Sequence, residues 1–194
     1  MHVNKTAVIL CGGMNIKGEN VHKAFLRLDN ERFIDRIIKS FKDFEELIIV
    51  CKDKTLFDAY KGRVKIIEDE IKDIGPIAGL YTALKNSKSE EVMVVSCDMP
   101  LIDEYIINRI CSIEFNEEAL IPFVYGKSQY LCGIYKRDII YKIKELIKNK
   151  EYAIKKLFNN ISVRYFFPKN EENFININTF GEYVYLRRKS ESIN

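Results

Sequence analysis

Short runs of β-branched and other apolar residues recur along the chain, separated by stretches in which apolar positions return every three or four residues. The first pattern fits a buried strand and the second a helix with one apolar face. Together they predict strands over 6–11, 47–51, 64–67, 91–96, 119–122, 130–135 and 162–167. Helices are predicted over 33–44, where Phe33, Ile34, Ile37, Ile38 and Phe41 line one face, and over 77–86, opened by the turn at Gly75 and Pro76. Further helices are predicted over 103–113 and 136–148, near 152–159, and as a short terminal helix after 176–180. Strand and helix alternate from one end to the other, which argues for βαβ units. The fold expected is α/β, a three-layer Rossmann-like arrangement with a mostly parallel sheet between helices.

No repeat, low-complexity tract or Pro/Ser linker divides the 194 residues, so one domain over 1–194 is expected, with the tail 187–194 (RRKSESIN) fraying. Residues are 47% hydrophobic and 30% charged, as in an ordinary soluble protein. The apolar runs are far shorter than the roughly 20 residues a membrane span needs. The N-terminal run is quickly followed by glycines, unlike a secretory leader, so a cytoplasmic protein is expected. A net charge of +3 is too small to point to nucleic acid and leaves a phosphate-bearing small molecule open. The lysine-rich stretch 136–156 reads as a solvated helix face or as a phosphate-attracting patch. Five cysteines, an odd number without a CxxC pair, read as reduced core residues.

Candidate chemistry concentrates where strands end. After the first strand, Gly12 and Gly13 would let backbone N–H groups approach phosphate oxygens, and Lys17 and Lys23 supply charge. The alternative is a plain turn with surface lysines. The loop matches neither GxGxxG nor GxxxxGK[ST], which disfavours a dinucleotide-binding Rossmann protein and a P-loop NTPase. The strand 91–96 runs straight into Asp98, a hard oxygen ligand for Mg²⁺ or, on the other reading, a cap for the next helix. Asp69 ends another strand and is either an acceptor for a base N–H or ribose hydroxyl, or a solvated turn acid. Gly75 and Gly79 of GPIAG offer backbone donors or serve only a tight turn. In NINT, Asn176 and Asn178 alternate with Ile and present two amides to one side; Asn178 can coordinate a cation through its carbonyl oxygen, or Asn178 or Thr179 can cap the last helix. The two histidines, His2 and His22, form no Ser, His and Asp set, and neither is needed for nucleotidyl transfer.

In order, LCGG at 10–13, Lys23 followed by AFLRL, ED at 68–69, GPIAG at 75–79, CDMP at 97–100, QYLCGIY at 129–135 and NINT at 176–179 resemble the molybdenum cofactor guanylyltransferase family over nearly the whole chain. That resemblance implies a sheet of the nucleotide-diphospho-sugar transferase, or glycosyltransferase-A-like, type, with GTP and molybdopterin as substrates, Mg²⁺ as cofactor, and molybdopterin guanine dinucleotide and pyrophosphate as products. Leu10, Cys11, Gly12, Gly13 and Gly75 would line the nucleotide, Lys23 its phosphates and Asp69 the nucleoside. Lys23 and Asp98 would carry catalysis, Asp98 and Asn178 the metal, and Asn176 and Asn178 the pterin side. The product would pass to a molybdoenzyme or cofactor-insertion protein. Departures are Lys17, Gly18 and Glu19 in place of an Arg-Met-Gly run, His22 where Asp often precedes the lysine, Tyr130 in place of the proline usual before the Leu-Cys pair, and Phe180 in place of proline. Lysine lacks arginine's bidentate fork, so the phosphate grip differs. A cytidylyl- or other NTP transferase, and a noncatalytic pterin- or nucleotide-binding chaperone, are the competing readings.

Overall fold

The computed structural model describes residues 3–13, 15–16 and 21–192. Strand β1 (Val3–Cys11) is followed by a 3-10 turn (Lys23–Phe25), the short strands β2 (Arg27–Leu28) and β3 (Glu31–Arg32), helix α1 (Phe33–Ser40) and β4 (Phe44–Cys51). A 3-10 segment (Lys54–Tyr60) leads to β5 (Lys65–Glu68), α2 (Pro76–Asn86), β6 (Glu91–Ser96) and α3 (Glu104–Cys111). Next come β7 (Ala119–Val124), β8 (Lys127–Ser128), β9 (Cys132–Lys136), a 3-10 turn (Arg137–Ile139) and α4 (Ile140–Lys148). The chain continues through α5 (Ile154–Leu157), β10 (Val163–Phe166) and a 3-10 turn (Glu172–Phe174) to α6 (Phe180–Glu191).

The strands order as β10-β7-β9-β6-β1-β4-β5, with β8 paired to β7. β1 runs parallel to β4 and β6, β5 parallel to β4, and β10 parallel to β7, whereas β9 is antiparallel to both neighbours. The α/β, mostly parallel expectation therefore holds. The carboxyl ends of β5, β4, β1 and β6 share one edge of the sheet, where α/β sheets build their crevices.

Burial alternates along β1 as the pleat requires: Ala7, Ile9 and Cys11 join one core with Ile34, Ile37, Ile107 and Ile110 of α1 and α3. Val8 and Leu10 join the other with Leu80 and Leu84 of α2 and Ile143 of α4. That division gives three layers. A third cluster ties Leu26, Leu28 and Phe33 to Ile177 and Leu186, clamping the hairpin and α6 together. Where β9 crosses β7, a Cβ on Gly133 would lie 2.4 Å from the Leu120 carbonyl oxygen, so only glycine fits. The five cysteines are unpaired; burial pushes the Cys51 thiol up to about 12 and that of Cys111 to about 11, as expected of inert core groups.

The main departures from expectation are four. The helix predicted over 33–44 stops at Ser40 because the chain turns, Phe41 N–H donating to Ile38, so that Phe44 can open β4. The helix predicted from Lys136 begins later, because Lys136 is held opposite Glu91 in the β6–β9 ladder and a 3-10 turn intervenes. The β2–β3 hairpin was not expected; Asp29 and Asn30 take φ of 49° and 62°, the mirror-image turn that suits a two-residue hairpin. α6 extends to Glu191 and takes in residues 187–191 of the tail expected to fray, supported by the Arg187–Glu191 pair and by Lys189 on Glu172. In the stretch 136–156, Lys142 binds Glu118 and Lys156 binds Glu151, in keeping with a solvated face. Among the described residues no helix is long and apolar enough to cross a membrane.

Candidate functional site

β1 delivers Gly12 to the carboxyl edge of the sheet, and β5 delivers Asp69 beside it. The Asp69 N–H donates to the Cys51 carbonyl at 2.8 Å, fixing the acid one strand from β1. A Cβ on Gly12 would stand 3.1 Å from Asp69 Oδ2, and one on Gly79 would stand 3.6 Å from Oδ1 and 3.3 Å from Leu10 Cδ2. The two glycines thus make the niche that Asp69 occupies. Its Oδ1 is buried without a hydrogen-bond partner, and burial pushes its pKa up to about 6 against the pull of Lys52. A buried acceptor left open at a cleft is ready for a donor supplied by a ligand.

The rest of the first loop divides by role. Leu10 and Cys11 turn their side chains into the core, leaving only backbone to a ligand. Gly13 is exposed with nothing near it, and Gly75, at φ 76°, is the N-cap of α2 in a conformation that favours glycine. The atypical Lys17, Gly18 and Glu19 lie outside the described residues.

Lys23, Asp98 and Asn178 meet, although they lie far apart in sequence. Lys23 Nζ donates to Asn178 Oδ1 at 2.6 Å and stands 3.2 Å from Asp98 Oδ2. The Lys23 and Asp98 side chains are only 11% and 16% exposed, so their pairing is less screened than a surface ion pair. Asp98 Oδ1 is buried with no partner. The cap of α3 is Asp103, whose Oδ1 accepts from Ile106 N–H at 2.9 Å, which removes the capping alternative for Asp98. An unpartnered carboxylate oxygen with an amide oxygen on the same lysine fits a hard divalent cation. Among the described residues no group of three or more His, Cys, Asp or Glu could hold a metal, so a cation at Asp98 would need phosphate oxygens of a nucleotide to complete its shell.

Asn176 and Asn178 find separate partners on either side of buried Ile177. Asn176 Nδ2 donates to Gln129 Oε1 at 3.1 Å, and the Ile177 N–H donates to the Asp98 carbonyl at 2.9 Å. The cap of α6 is Thr179: its hydroxyl accepts from Glu182 N–H, while Glu182 Oε2 accepts from the N–H groups of Asn178 and Thr179 at 2.8 and 2.9 Å. The Thr-x-x-Glu spacing is a capping-box signature and was legible in the sequence. Gln129 carried no such signal. Neither did His22, whose Nε2 lies 3.1 Å from the Cys11 carbonyl oxygen and whose Nδ1 accepts from Ala24 N–H at 3.2 Å.

A sequence model described as a MobA-like NTP transferase domain matches residues 7–164. A Clostridium perfringens protein named "Probable molybdenum cofactor guanylyltransferase" is 37% identical over 97% of this chain and 99% of its own length. A Bacillus cytotoxicus protein of the same name is 31% identical over 92% and 94%. The molybdopterin-guanine dinucleotide biosynthesis protein A of Archaeoglobus fulgidus superposes with a TM-score of 0.78, covering 96% of this chain and 99% of that one; at 20% identity it speaks to fold alone. So does the 2-C-methyl-D-erythritol 4-phosphate cytidylyltransferase of Thermus thermophilus, at TM-score 0.72 and 13% identity over 96% and 99%. The sheet is of the nucleotide-diphospho-sugar transferase type that these structures share. With a matched region that includes the glycine loop, Lys23, Asp69 and Asp98, the chain belongs to the MobA-like NTP transferase family and is a nucleotidyltransferase.

Proposed function

We propose that this nucleotidyltransferase moves GMP from GTP to molybdopterin, yielding molybdopterin guanine dinucleotide and pyrophosphate. The observation that carries the reading is Asp98, with one carboxylate oxygen on Lys23 and the other buried without a partner beside the glycine loop. The choice of guanine and pterin rests on the relatives named for that reaction, which align with this chain from end to end.

Gly12 and Gly13 leave room for the triphosphate, and Asp69 accepts a donor from the nucleoside. A terminal phosphate oxygen of the pterin forms a bond to the α-phosphorus of GTP, the bond from that phosphorus to the bridging oxygen of the β-phosphate breaks, and pyrophosphate leaves with the electron pair. Lys23 offsets charge on the phosphate oxygens and orients them against Asp98. Asp98 and the Asn178 amide oxygen would hold Mg²⁺, which when bound neutralises phosphate charge that the protein side chains alone leave uncompensated. Asn176, braced by Gln129, faces the pterin side. No covalent enzyme intermediate is needed.

The test is pyrophosphate release from GTP, CTP, ATP and UTP, each with molybdopterin, with Mg²⁺ and with EDTA. Release from GTP that EDTA abolishes is expected. Release from CTP alone would replace guanine by cytosine, and release from none of the four, GTP binding notwithstanding, would refute the guanylyl reading. Asp98→Ala should lose turnover with an unchanged melting curve; a wild-type rate in that variant would remove Asp98 from the metal site.

A further inference from the structure

His22 lies one residue before Lys23 and N-caps the 3-10 turn that Lys23 begins. Ala24 N–H can only donate, so Nδ1, which accepts from it at 3.2 Å, carries no proton. The ring proton of the neutral imidazole is then on Nε2, aimed at the Cys11 carbonyl oxygen 3.1 Å away. Burial lowers the pKa of His22, in keeping with a neutral ring. The ring packs edge-on against Phe57, with centroids 5.7 Å apart, and against Phe25 at 5.6 Å, the two phenylalanines themselves lying 5.2 Å apart. Phe57 is fully buried, so this cluster of three rings is anchored in the core.

These contacts join the two ends of the phosphate loop. Cys11 is the last residue of β1 and precedes Gly12; His22 ends the loop and precedes Lys23. The His22 side chain spans 11 positions to reach Cys11, and among the described residues the Ile16 N–H donates to the Val21 carbonyl within that span. We infer that His22 is a positioning residue that sets Lys23 against the glycine loop, so that the ammonium meets the nucleotide phosphates without first paying to order the loop. In this role it acts through Lys23. The inference rests on membership of the NTP transferase family and not on the choice of guanine.

Two near-isosteric substitutions separate the two bonds. His22→Gln places an N–H donor where Nε2 stood and keeps the tether to Cys11 while losing the acceptor for Ala24. His22→Asn keeps the acceptor and loses the tether. Dissociation constants are measured by calorimetry for whichever of the four nucleoside triphosphates the wild-type chain binds most tightly, with kcat and KM beside them. Loss of the tether is expected to weaken nucleotide binding and raise KM about tenfold in His22→Asn with a smaller change in kcat, and His22→Gln should recover most of it. In a Lys23→Ala background His22→Asn should cost no further affinity. Equal effects of the two variants, or a loss in the Lys23→Ala background as large as in the wild type, would overturn the inference, since a residue that only supported the fold would behave in that way.

Discussion

Asp69→Asn should make the protein more stable and a poorer binder of nucleotide, and the size of the gain follows from where the carboxylate sits. Its pKa rises from 3.8 to about 6 because burial penalises the charged form. The folded chain therefore binds the Asp69 proton more tightly than the unfolded chain between those two values. Stability falls as pH climbs through that window, and the whole cost is present above about pH 6. A shift of some two pH units corresponds to a ceiling of about 3 kcal/mol, and partial exposure of the side chain trims it to roughly 1–2 kcal/mol. Asparagine keeps the shape beside Gly12 and Gly79 and stays neutral throughout. Urea unfolding of both proteins at pH 4, 5, 6 and 8 is the assay. The difference between them should be small at pH 4 and grow to roughly 1–2 kcal/mol in favour of the variant by pH 8. The same variant should bind nucleotide at least about tenfold more weakly, because the acceptor proposed for the nucleoside has lost its charge. Parallel pH dependences in the two proteins would show that burial of this carboxylate is not what costs stability.

Two other predictions concern the frame around the site. Gly133→Ala places a Cβ 2.4 Å from the Leu120 carbonyl oxygen and 2.8 Å from Ile121 Cδ1, so β9 must move away from β7. A loss of about 2 kcal/mol or more, seen as a fall of roughly 4–8 °C in the melting temperature, is expected by circular dichroism; an unchanged melt would refute the packing argument. Thr179→Ala removes the N-cap of α6 and should cost about 1 kcal/mol. Because Glu182 then loses the hydroxyl that receives its N–H, Asn178 should also hold Lys23 less firmly, readable as a higher KM for nucleotide; stability and KM both at wild-type values would argue against that link.

How much of this was visible in the sequence depended on whether a residue's role was local. The apolar run that leads to Asp98 announces both its strand, β6, whose bounds agree with expectation, and the carboxylate that follows it. The glycine at 12 was marked by its place after β1, but what it accommodates, Asp69, is brought there by a different strand. Pairing across the sheet is not written in any window of sequence. The same holds for Lys23 and Asn178, 155 positions apart. His22 shows no acid–base pattern in the sequence, and its contacts, which are those of a tether, depend on how the loop folds back on Cys11. The β2–β3 hairpin escaped because Asp-Asn is a less conspicuous turn pair than Asn-Gly, and the start of α4 was misplaced because Lys136 suits a solvent-facing strand end as well as a helix.

The bond between the Asp98 carbonyl and the Ile177 N–H has a consequence for how the protein is made. Residues 175–178 follow β10, so a ribosome adds every strand of the sheet before it adds Asn176 and Asn178. The last strand and the opposite wall of the cleft lie close together in the chain, so the cleft is complete only once β10 and residues 175–178 are both free to fold.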